Sequence, residues 1–218
     1  MTLFPFFEDI DGKRIAIIGG GYAAKEKFFK LYRFTHNLTI VAPEMVFAVP
    51  NDVEVKKKIF AAPDAEGIDI AVIATDNDTS DRFAQQLCKN KGIRVNVVGH
   101  PEMSDFDFPE LLKKGDLVIG ITSSNVSPAA AAYVRGEVEK MIPDSMEAIL
   151  KRLGEAIPVL AERIADDKQR SNVLGMMFDY LLEKDNNVPE DEFWDEVERR
   201  SAGMKINSIW EGKERPAK

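Results

Sequence analysis

The amino-acid sequence predicts an α/β fold: a doubly wound parallel sheet of Rossmann type, then a central α+β module, then a C-terminal helical domain. Short β-branched runs alternate with helical segments over the first hundred residues, as in parallel strands joined by crossover helices. A triple-glycine turn follows the first run. Beyond about residue 144, only helical spacing of apolar residues continues. We therefore expect domains at 1–103, 104–143 and 144–218, with a frayed end at 211–218.

Composition and charge restrict the class of protein. The 218 residues are 44% hydrophobic and 30% charged, which excludes a disordered chain, a fibre and a coiled coil. A formal net charge of -8 argues against nucleic acid or an anionic membrane as the main partner. The single cysteine, Cys88, excludes an intrachain disulfide, and no apolar run approaches the roughly 20 residues of a membrane span. Because the sequence also begins without the basic start of a signal peptide, we expect a cytoplasmic protein.

The first domain is predicted to alternate strands and helices. The run RIAII at 14–18 is continuous enough to be a strand buried on both faces. A helix at 22–33 follows, and polar residues at 75–79 can cap a second helix that extends to about residue 90. The basic residues of the first helix are predicted on its surface: Lys25, Lys27, Lys30 and Arg33. The other strands are predicted at 38–41, 53–59, 68–74 and 94–98.

From residue 104 the pattern changes to an antiparallel hairpin followed by a helix. The two strands of the hairpin are predicted at 105–108 and 117–122, joined at 113–115. Ser127 and Pro128 match a helix N-cap followed by proline at the first helical position. This arrangement predicts a module that is distinct from the parallel sheet.

The last third of the chain is predicted to be helical. The helix that begins at Pro128 ends before Pro143, and apolar residues of the next segment keep helical spacing. Pro158 is expected to kink or divide that segment. Another helix is predicted around 173–181, and a last one around 193–197, with a cap such as Asp191.

The turn after the first strand matches the fingerprint of a dinucleotide site. Gly19, Gly20 and Gly21 begin a G-x-G-x-x-A pattern that Ala24 completes, at the junction of a strand and a helix. Gly19 permits the tight turn, Gly21 permits close approach of a diphosphate, and the free amides of the helix face the anion. The alternative is a tight turn without a ligand.

The residue that would select the cofactor is displaced from its usual place. Dinucleotide sites have an acidic residue roughly twenty positions after the glycines, whereas the second strand here is followed by Pro43 and Glu44. Glu44 either reaches a ribose hydroxyl, which favours NAD over NADP, or is a solvated loop residue. Thr75 and Asp76 follow the fourth strand, where ligands of open α/β sheets collect, and helix capping is their alternative role.

Several motifs together resemble the precorrin-2 dehydrogenases, including the bifunctional dehydrogenase and sirohydrochlorin ferrochelatase proteins of siroheme synthesis. The resemblance extends in order over about residues 3 to 143, and more loosely over the C-terminal helices. The motifs are LFPFF, GKRIAIIGGGYAAKEK, LTIVAPE, VIATDNDTSD, RVNVV, FDFPELLKKGDLVIGITSS and SPAAAAYVR.

The resemblance implies an enzyme of tetrapyrrole biosynthesis. Members of this family are homodimers with an NAD domain, a central dimerisation module and a small helical domain. NAD accepts hydride from precorrin-2 to give sirohydrochlorin, and some members then insert ferrous iron, a lyase activity. By matched position, Tyr22, Ala23, Pro43 and Glu44 correspond to the family's cofactor contacts. We therefore expect an NAD-dependent precorrin-2 dehydrogenase, with chelation of iron left open.

One departure from the family concerns proton transfer. The family has Asn-Val, one further residue and then an aspartate, whereas this chain has Asn96 followed by Gly99 at the position of the aspartate. Oxidation of the macrocycle also requires loss of a proton, so a nearby base is needed. His100 is the adjacent substitute, because histidine titrates near neutral pH. Otherwise His100 is a loop residue and chelation is weakened or absent.

A polar loop resembles the tetrapyrrole-binding segment of the family. Ser123 matches a family serine and is a candidate catalytic residue. Asn96 and the loop residues are candidates for contacts with the substrate. A helix amino end with preceding hydroxyls can hold the carboxylates of such a substrate. Arg135 either clamps another carboxylate or is an exposed arginine. The candidate substrate contacts are Asn96, Ser124, Asn125, Ser127 and Arg135.

Two other functions remain as alternatives. A catalytically silent relative that binds tetrapyrrole is favoured by Gly99, whereas a nucleotide-sensing regulatory module would use the glycine turn alone. The polar loop that ends at Ser127 favours the enzyme. With two histidines and one cysteine, the sequence predicts no preformed metal site.

Overall fold

The computed structural model describes residues 3–202 and divides the chain into two compact units. The first unit consists of residues up to Glu110 together with Gly120–Ala132. The second consists of Leu111–Ile119 and the residues from Tyr133 onward. The predicted frayed end at 211–218 lies outside the described residues.

A five-stranded parallel sheet forms the centre of the first unit. Its strand order is β3-β2-β1-β4-β5, so the order reverses direction between β1 and β4. The strands are β1 Ile15–Ile18, β2 Leu38–Val41, β3 Glu54–Lys56, β4 Ile70–Ile73 and β5 Arg94–Val97. Two helices accompany them, α1 Tyr22–Tyr32 and α2 Asp78–Asn90.

The two helices cover opposite faces of this sheet. Ile17 of β1 is in one core cluster with Phe28 of α1. Ile18, the next residue, is in another cluster with Cys88 of α2, which is fully buried. Because successive strand residues point to opposite faces, the sheet is doubly wound. The predicted Rossmann-type fold is therefore confirmed.

The hairpin begins later than the sequence predicted. Its strands are β6 Glu110–Lys114 and β7 Leu117–Ile121, so the prediction of a strand at 105–108 is wrong. The FDF alternation there has another cause: Phe106 and Phe108 pack on the core while the loop between β5 and β6 runs beside β5. Asp105 tethers this loop, donating its amide to the carbonyl of Val95 at 2.8 Å.

Four helices complete the described chain. They are α3 Pro128–Met141, α4 Met146–Arg163, α5 Asp167–Glu183 and α6 Glu190–Ser201. Pro158 lies inside α4 without dividing it. The carbonyl that loses its partner belongs to Gly154, which is exposed to water. Pro189 occupies the N-cap of α6, so Asp191 lies in the first turn instead of capping the helix.

The second unit has its own hydrophobic core, formed by α4, α5 and α6. The core side chains recur at helical spacing, as the sequence predicted. They include Ile149, Leu153, Leu160, Val173, Met177, Leu181, Phe193 and Val197. None of the helices within residues 3–202 is long and apolar enough to cross a bilayer.

Candidate cofactor and substrate sites

The backbone of the turn after β1 packs directly against the backbone of the segments that follow β2 and β4. Gly19 has φ 127°, a region that side chains other than glycine rarely adopt. A Cβ at Gly19 would overlap the carbonyl oxygen of Ala74, and a Cβ at Gly20 would overlap that of Glu44. Because the strand order reverses between β1 and β4, this turn lies at the crevice where open α/β sheets bind ligands.

The first turn of α1 fits a diphosphate. Gly21 is the N-cap residue, and it has no side chain to occupy the amides of Tyr22 and Ala23. A Cβ at Gly21 would lie 2.7 Å from Oδ2 of Asp76, so even a methyl group would be crowded at this position. Free amides and the positive end of the helix dipole attract anions. The donors present therefore suit the diphosphate of a dinucleotide.

The other predicted cofactor residues surround this turn. Tyr22 is exposed and Ala23 is half-buried at the start of α1. Pro43 and Glu44 are exposed in the segment after β2, which is tethered to the turn where the amide of Val46 donates to Gly20 at 2.9 Å. The structure thus brings the segments after β1, β2 and β4 together.

Thr75 also has a structural role that involves a residue the sequence reasoning missed. Asp81 of α2 is buried, and its Oδ1 accepts hydrogen bonds from the amide of Thr75 at 3.1 Å and from Oγ1 at 2.6 Å. Asn77 caps α2 by accepting from the amide of Ser80 at 2.9 Å. Asp76, between these anchored residues, has φ 56°. The sequence signal that could have revealed Asp81 is its position as an acid in the first turn of α2, one turn after the cap residue Asn77.

A cavity of about 570 Å³ lies within the first unit, at the carboxyl end of β5. Three predicted site residues line it: Asn96, Ser123 and Asn125. Gly99 also lines it, at the position where the family has its aspartate. The wall is completed by residues of α1, of the loop before β6, of the segment after β7 and of the start of α3.

Asn96 lines this cavity and has a buried acceptor atom without a partner in the described residues. Asn96 is 6% exposed, and its Nδ2 donates a hydrogen bond to the carbonyl oxygen of Phe106 at 2.9 Å. Its Oδ1 is buried without a hydrogen-bond partner in the described part of the chain. A buried carboxamide oxygen is normally paired, so this atom is suited to accept a hydrogen bond from a ligand.

The polar loop is organised mainly by its own hydrogen bonds. Oγ of Ser123 accepts from the amide of Ser127 at 2.9 Å. Oγ of Ser127 accepts from the amide of Ala130 at 3.2 Å, so Ser127 caps α3 as predicted. Ser124 and Asn125 adopt left-handed backbone, with φ 53° and 64°. This loop presents Ser123 and Asn125 to the cavity.

Arg135 lies further along α3, in the second unit. Its Nη1 donates to Oε2 of Glu139 at 2.9 Å, one turn along the helix. This ion pair gives the guanidinium a partner within its own helix.

His100 is held by acidic residues. Its Nδ1 lies 3.1 Å from Oε1 of Glu102, and its Nε2 lies 3.4 Å from Oδ1 of Asp78. A backbone hydrogen bond and the contact with His100 lower the pKa of Glu102. His100 is not among the described residues that line the cavity, although its neighbours Gly99 and Pro101 are.

Two lysines predicted on the surface instead line the cavity. Lys27 and Lys30 of α1 have side chains that are 14% and 16% exposed. Nζ of Lys30 lies 2.9 Å from Glu26 and 3.2 Å from Glu110. Burial alone would lower the pKa of Lys30, but the bonds and charges of these two acids raise it overall. Lys30 therefore remains positively charged at the cavity wall.

Lys27 is held at the same wall by an aromatic ring. Its Nζ lies 5.1 Å from the ring centroid of Phe108 and 3.3 Å from Oε1 of Glu26. The sequence could not reveal this position, because the loop that carries Phe108 was predicted to be a strand.

A metal site would need several ligands in one place. Within residues 3–202, no group of three or more His, Cys, Asp or Glu side chains could hold a metal ion. Cys88 is buried, and burial raises the pKa of its thiol to about 11.

Comparisons with known proteins agree with this architecture. A family model described as putative NAD(P)-binding matches residues 6–110. A siroheme synthase of Psychrobacter sp. is 32% identical over 161 residues, which cover 71% of this chain and 33% of that protein. Siroheme synthase 1 of Halorhodospira halophila is 24% identical over 186 residues, covering 82% of this chain and 38% of that protein. The chain thus spans about a third of the length of these relatives.

A solved structure has the same fold. It is described as SirC, precorrin-2 dehydrogenase, and superimposes with a TM-score of 0.72, covering 90% of this chain and all of that one. The two sequences are 18% identical, so this likeness supports the architecture alone.

Proposed function

Because the predicted relationship to the siroheme synthases is confirmed, we propose that this chain is an NAD-dependent dehydrogenase that oxidises precorrin-2 to sirohydrochlorin. One observation carries the proposal: the glycine turn and the polar cavity both lie at the carboxyl edge of a single parallel sheet. A cofactor on the turn and a macrocycle in the cavity can therefore meet at this edge.

The chain's own groups would bind and orient the two reactants. Bound NAD supplies the two-electron acceptor. The amides of Tyr22 and Ala23 would hold the diphosphate, and Thr75 and Asp76 would border it. We assign Glu44 to the ribose hydroxyls, where its carboxylate would repel the extra phosphate of NADP. Titration should therefore show tighter binding of NADH than of NADPH, and Glu44→Gln should narrow that difference.

The substrate would be held through its carboxylates and its pyrrole N–H groups. Lys27 and Lys30 supply positive charge at the cavity wall, and Asn96 supplies an acceptor. Ser123 would contact the macrocycle as a catalytic residue. We also assign carboxylate contacts to the remaining candidates: Ser124, Asn125, Ser127 and Arg135.

The assembly and location are part of the same proposal. Tyr133, Val134 and Met141 of α3 are exposed apolar side chains, which suit a homodimer interface. We place the homodimer in the cytoplasm. Size measurement by light scattering should give twice the mass of the chain, and a monomeric mass would contradict the dimer.

The decisive experiment incubates the purified protein with precorrin-2 and NAD. We expect the absorbance of sirohydrochlorin to appear together with that of NADH. A protein that binds NAD and tetrapyrrole but yields no product would be a silent relative. A protein that binds NAD alone would be a nucleotide sensor. Repeating the assay with ferrous iron measures whether siroheme also forms.

His100 is the candidate base that the sequence offers next to Gly99, with a loop residue as the alternative. If His100 accepts the proton, His100→Ala should lower the turnover rate while binding of NADH is unchanged. An unchanged turnover rate would reject this role.

A further inference from the structure

We propose that Asp107 is the group that accepts the proton during oxidation of the macrocycle, in place of the candidate aspartate that the sequence resemblance implies at the position of Gly99. The inference rests on the proposed function and names a catalytic residue within it. Asp107 and Gly99 line the same cavity. The carboxylate is thus supplied by the loop before β6 instead of by the end of β5.

The surroundings of Asp107 fix its backbone and leave its carboxylate accessible. The neighbouring rings of Phe106 and Phe108 pack against the sheet core on either side of it. Oδ2 of Asp107 accepts from Oγ1 of Thr122 at 3.3 Å. Within residues 3–202, its Oδ1 accepts no hydrogen bond from the protein. A carboxylate positioned in this way has one oxygen available to a ligand.

The other acids of the cavity are already neutralised. The charged groups that line it are Glu26, Lys27, Lys30, Asp107 and Glu110. Glu26 pairs with both lysines, and Glu110 pairs with Lys30. Burial alone would raise the pKa of Glu26, but the bond with Lys30 and the two positive charges lower it overall. Asp107 has only a neutral donor, Oγ1 of Thr122, and forms no ion pair within residues 3–202, so it is the carboxylate of this wall that no cation occupies.

Asn96 provides a second, independent observation. Its buried Oδ1 needs a donor, and the pyrrole N–H groups of a macrocycle are donors of the right kind. A macrocycle that satisfies Asn96 would place its ring nitrogens in the cavity that Asp107 also lines. His100, by contrast, is held by Asp78 and Glu102.

The proposed step is balanced. The macrocycle loses a hydrogen with two electrons from carbon to NAD⁺, and the remaining proton leaves a ring nitrogen for the carboxylate of Asp107. A new double bond forms in the macrocycle. Asp107 then returns the proton to water, so the products are sirohydrochlorin, NADH and one proton.

The test compares Asp107→Asn with the wild-type full chain. Asparagine keeps the size of the side chain and can still accept from Thr122, so the fold should be retained. We expect turnover to fall by about 100-fold or more, the usual contribution of a positioned base. The dissociation constants for NADH and sirohydrochlorin, measured by titration, should change by less than about 3-fold. Asp107→Glu should restore part of the rate.

Asp116→Asn is the matched control, because Asp116 is an exposed carboxylate in the turn of the hairpin. It should turn over at the wild-type rate.

Three results would overturn the assignment. The first is wild-type turnover by Asp107→Asn, and the second is a matching loss of sirohydrochlorin affinity, which would make Asp107 a binding residue. The third is a loss of turnover in His100→Ala without one in Asp107→Asn. Absence of product from the wild type would instead overturn the proposed function, and the inference with it.

Discussion

We expect the glycine turn of the first unit and the helices of the second unit to tolerate substitution in different ways. In the first unit, the backbone of one segment packs directly on the backbone of another, as where Gly19 meets Ala74 and Gly20 meets Glu44. In the second unit, helices meet through side chains such as Leu160, and Gly154 faces open space. Backbone contacts cannot yield to an added atom, whereas side-chain contacts lose energy in proportion to the volume removed. Substitutions can therefore test this difference directly.

Gly19→Ala should have the largest effect. The added Cβ would overlap the carbonyl of Ala74, and φ 127° is strained for alanine. Overlap with backbone and strain together should cost at least about 4 kcal/mol in the free energy of unfolding. Urea denaturation measures this loss. A cost below about 1 kcal/mol would mean that the turn can rearrange, contrary to the comparison.

Leu160→Ala should produce a large but graded loss in the helical unit. Leu160 is fully buried in α4, so truncation leaves a cavity and should cost about 2–5 kcal/mol. Ile157→Ala on the same helix is the control, because Ile157 is 52% exposed and should cost much less. Equal losses in the two variants would contradict the core assigned to α4.

Asp64→Asn should produce a moderate loss that depends on pH. Oδ2 of Asp64 accepts from the amide of Ala61 at 3.0 Å, and Oδ1 lies 2.7 Å from Nζ of Lys58. Burial alone would raise the pKa of Asp64, but the Lys58 bond, the Ala61 amide and the nearby lysine charges lower it overall. The substitution should cost about 1 kcal/mol at neutral pH.

The sign of this pH dependence follows from the lowered pKa. The carboxylate stabilises the fold above the unfolded pKa of about 4, and this contribution disappears as pH falls through the lower, folded pKa. Denaturation at several pH values should therefore show the wild type and Asp64→Asn converging in acid. A difference that stays constant down to acidic pH would assign the loss to shape instead of charge.

Gly154→Ala should have the smallest effect and the opposite sign. An added Cβ would contact nothing within 4 Å, and alanine is the better helix former. The variant should gain about 0.5–1 kcal/mol in the free energy of unfolding. A loss of stability comparable to that of Gly19→Ala would mean that the two units do not differ in their tolerance to an added methyl group.

Much of the fold could be predicted because local signals and packing agree. The strand at Leu38–Val41 was predicted to the residue, since Ala42 and Pro43 end it. The hairpin was misplaced because an alternating pattern at 105–108 reflects packing of two rings on a neighbouring sheet. Pro158 was expected to kink or divide its segment, but it does not divide α4, because water can satisfy the exposed carbonyl of Gly154.

The candidate site was only half predictable, for a physical reason. The glycine turn is a local motif, so its position could be read directly. The cavity is formed by contacts between distant segments, which bring Lys27 and Lys30 beside the loop that carries Phe108. Nothing in the periodicity of α1 distinguishes those lysines from solvated ones. Asp107 was missed for the same reason.

The buried thiol of Cys88 allows opening of the first unit to be measured without an added label. Cys88 is the only cysteine of the chain and is fully buried on the face of α2 that packs on the sheet. An alkylating reagent can reach it only when this part of the unit opens transiently, so the rate of modification measures that opening. A nucleotide that binds the closed form should slow alkylation of Cys88, and more strongly the tighter it binds. The alkylation rate therefore measures how much of the protein has nucleotide bound.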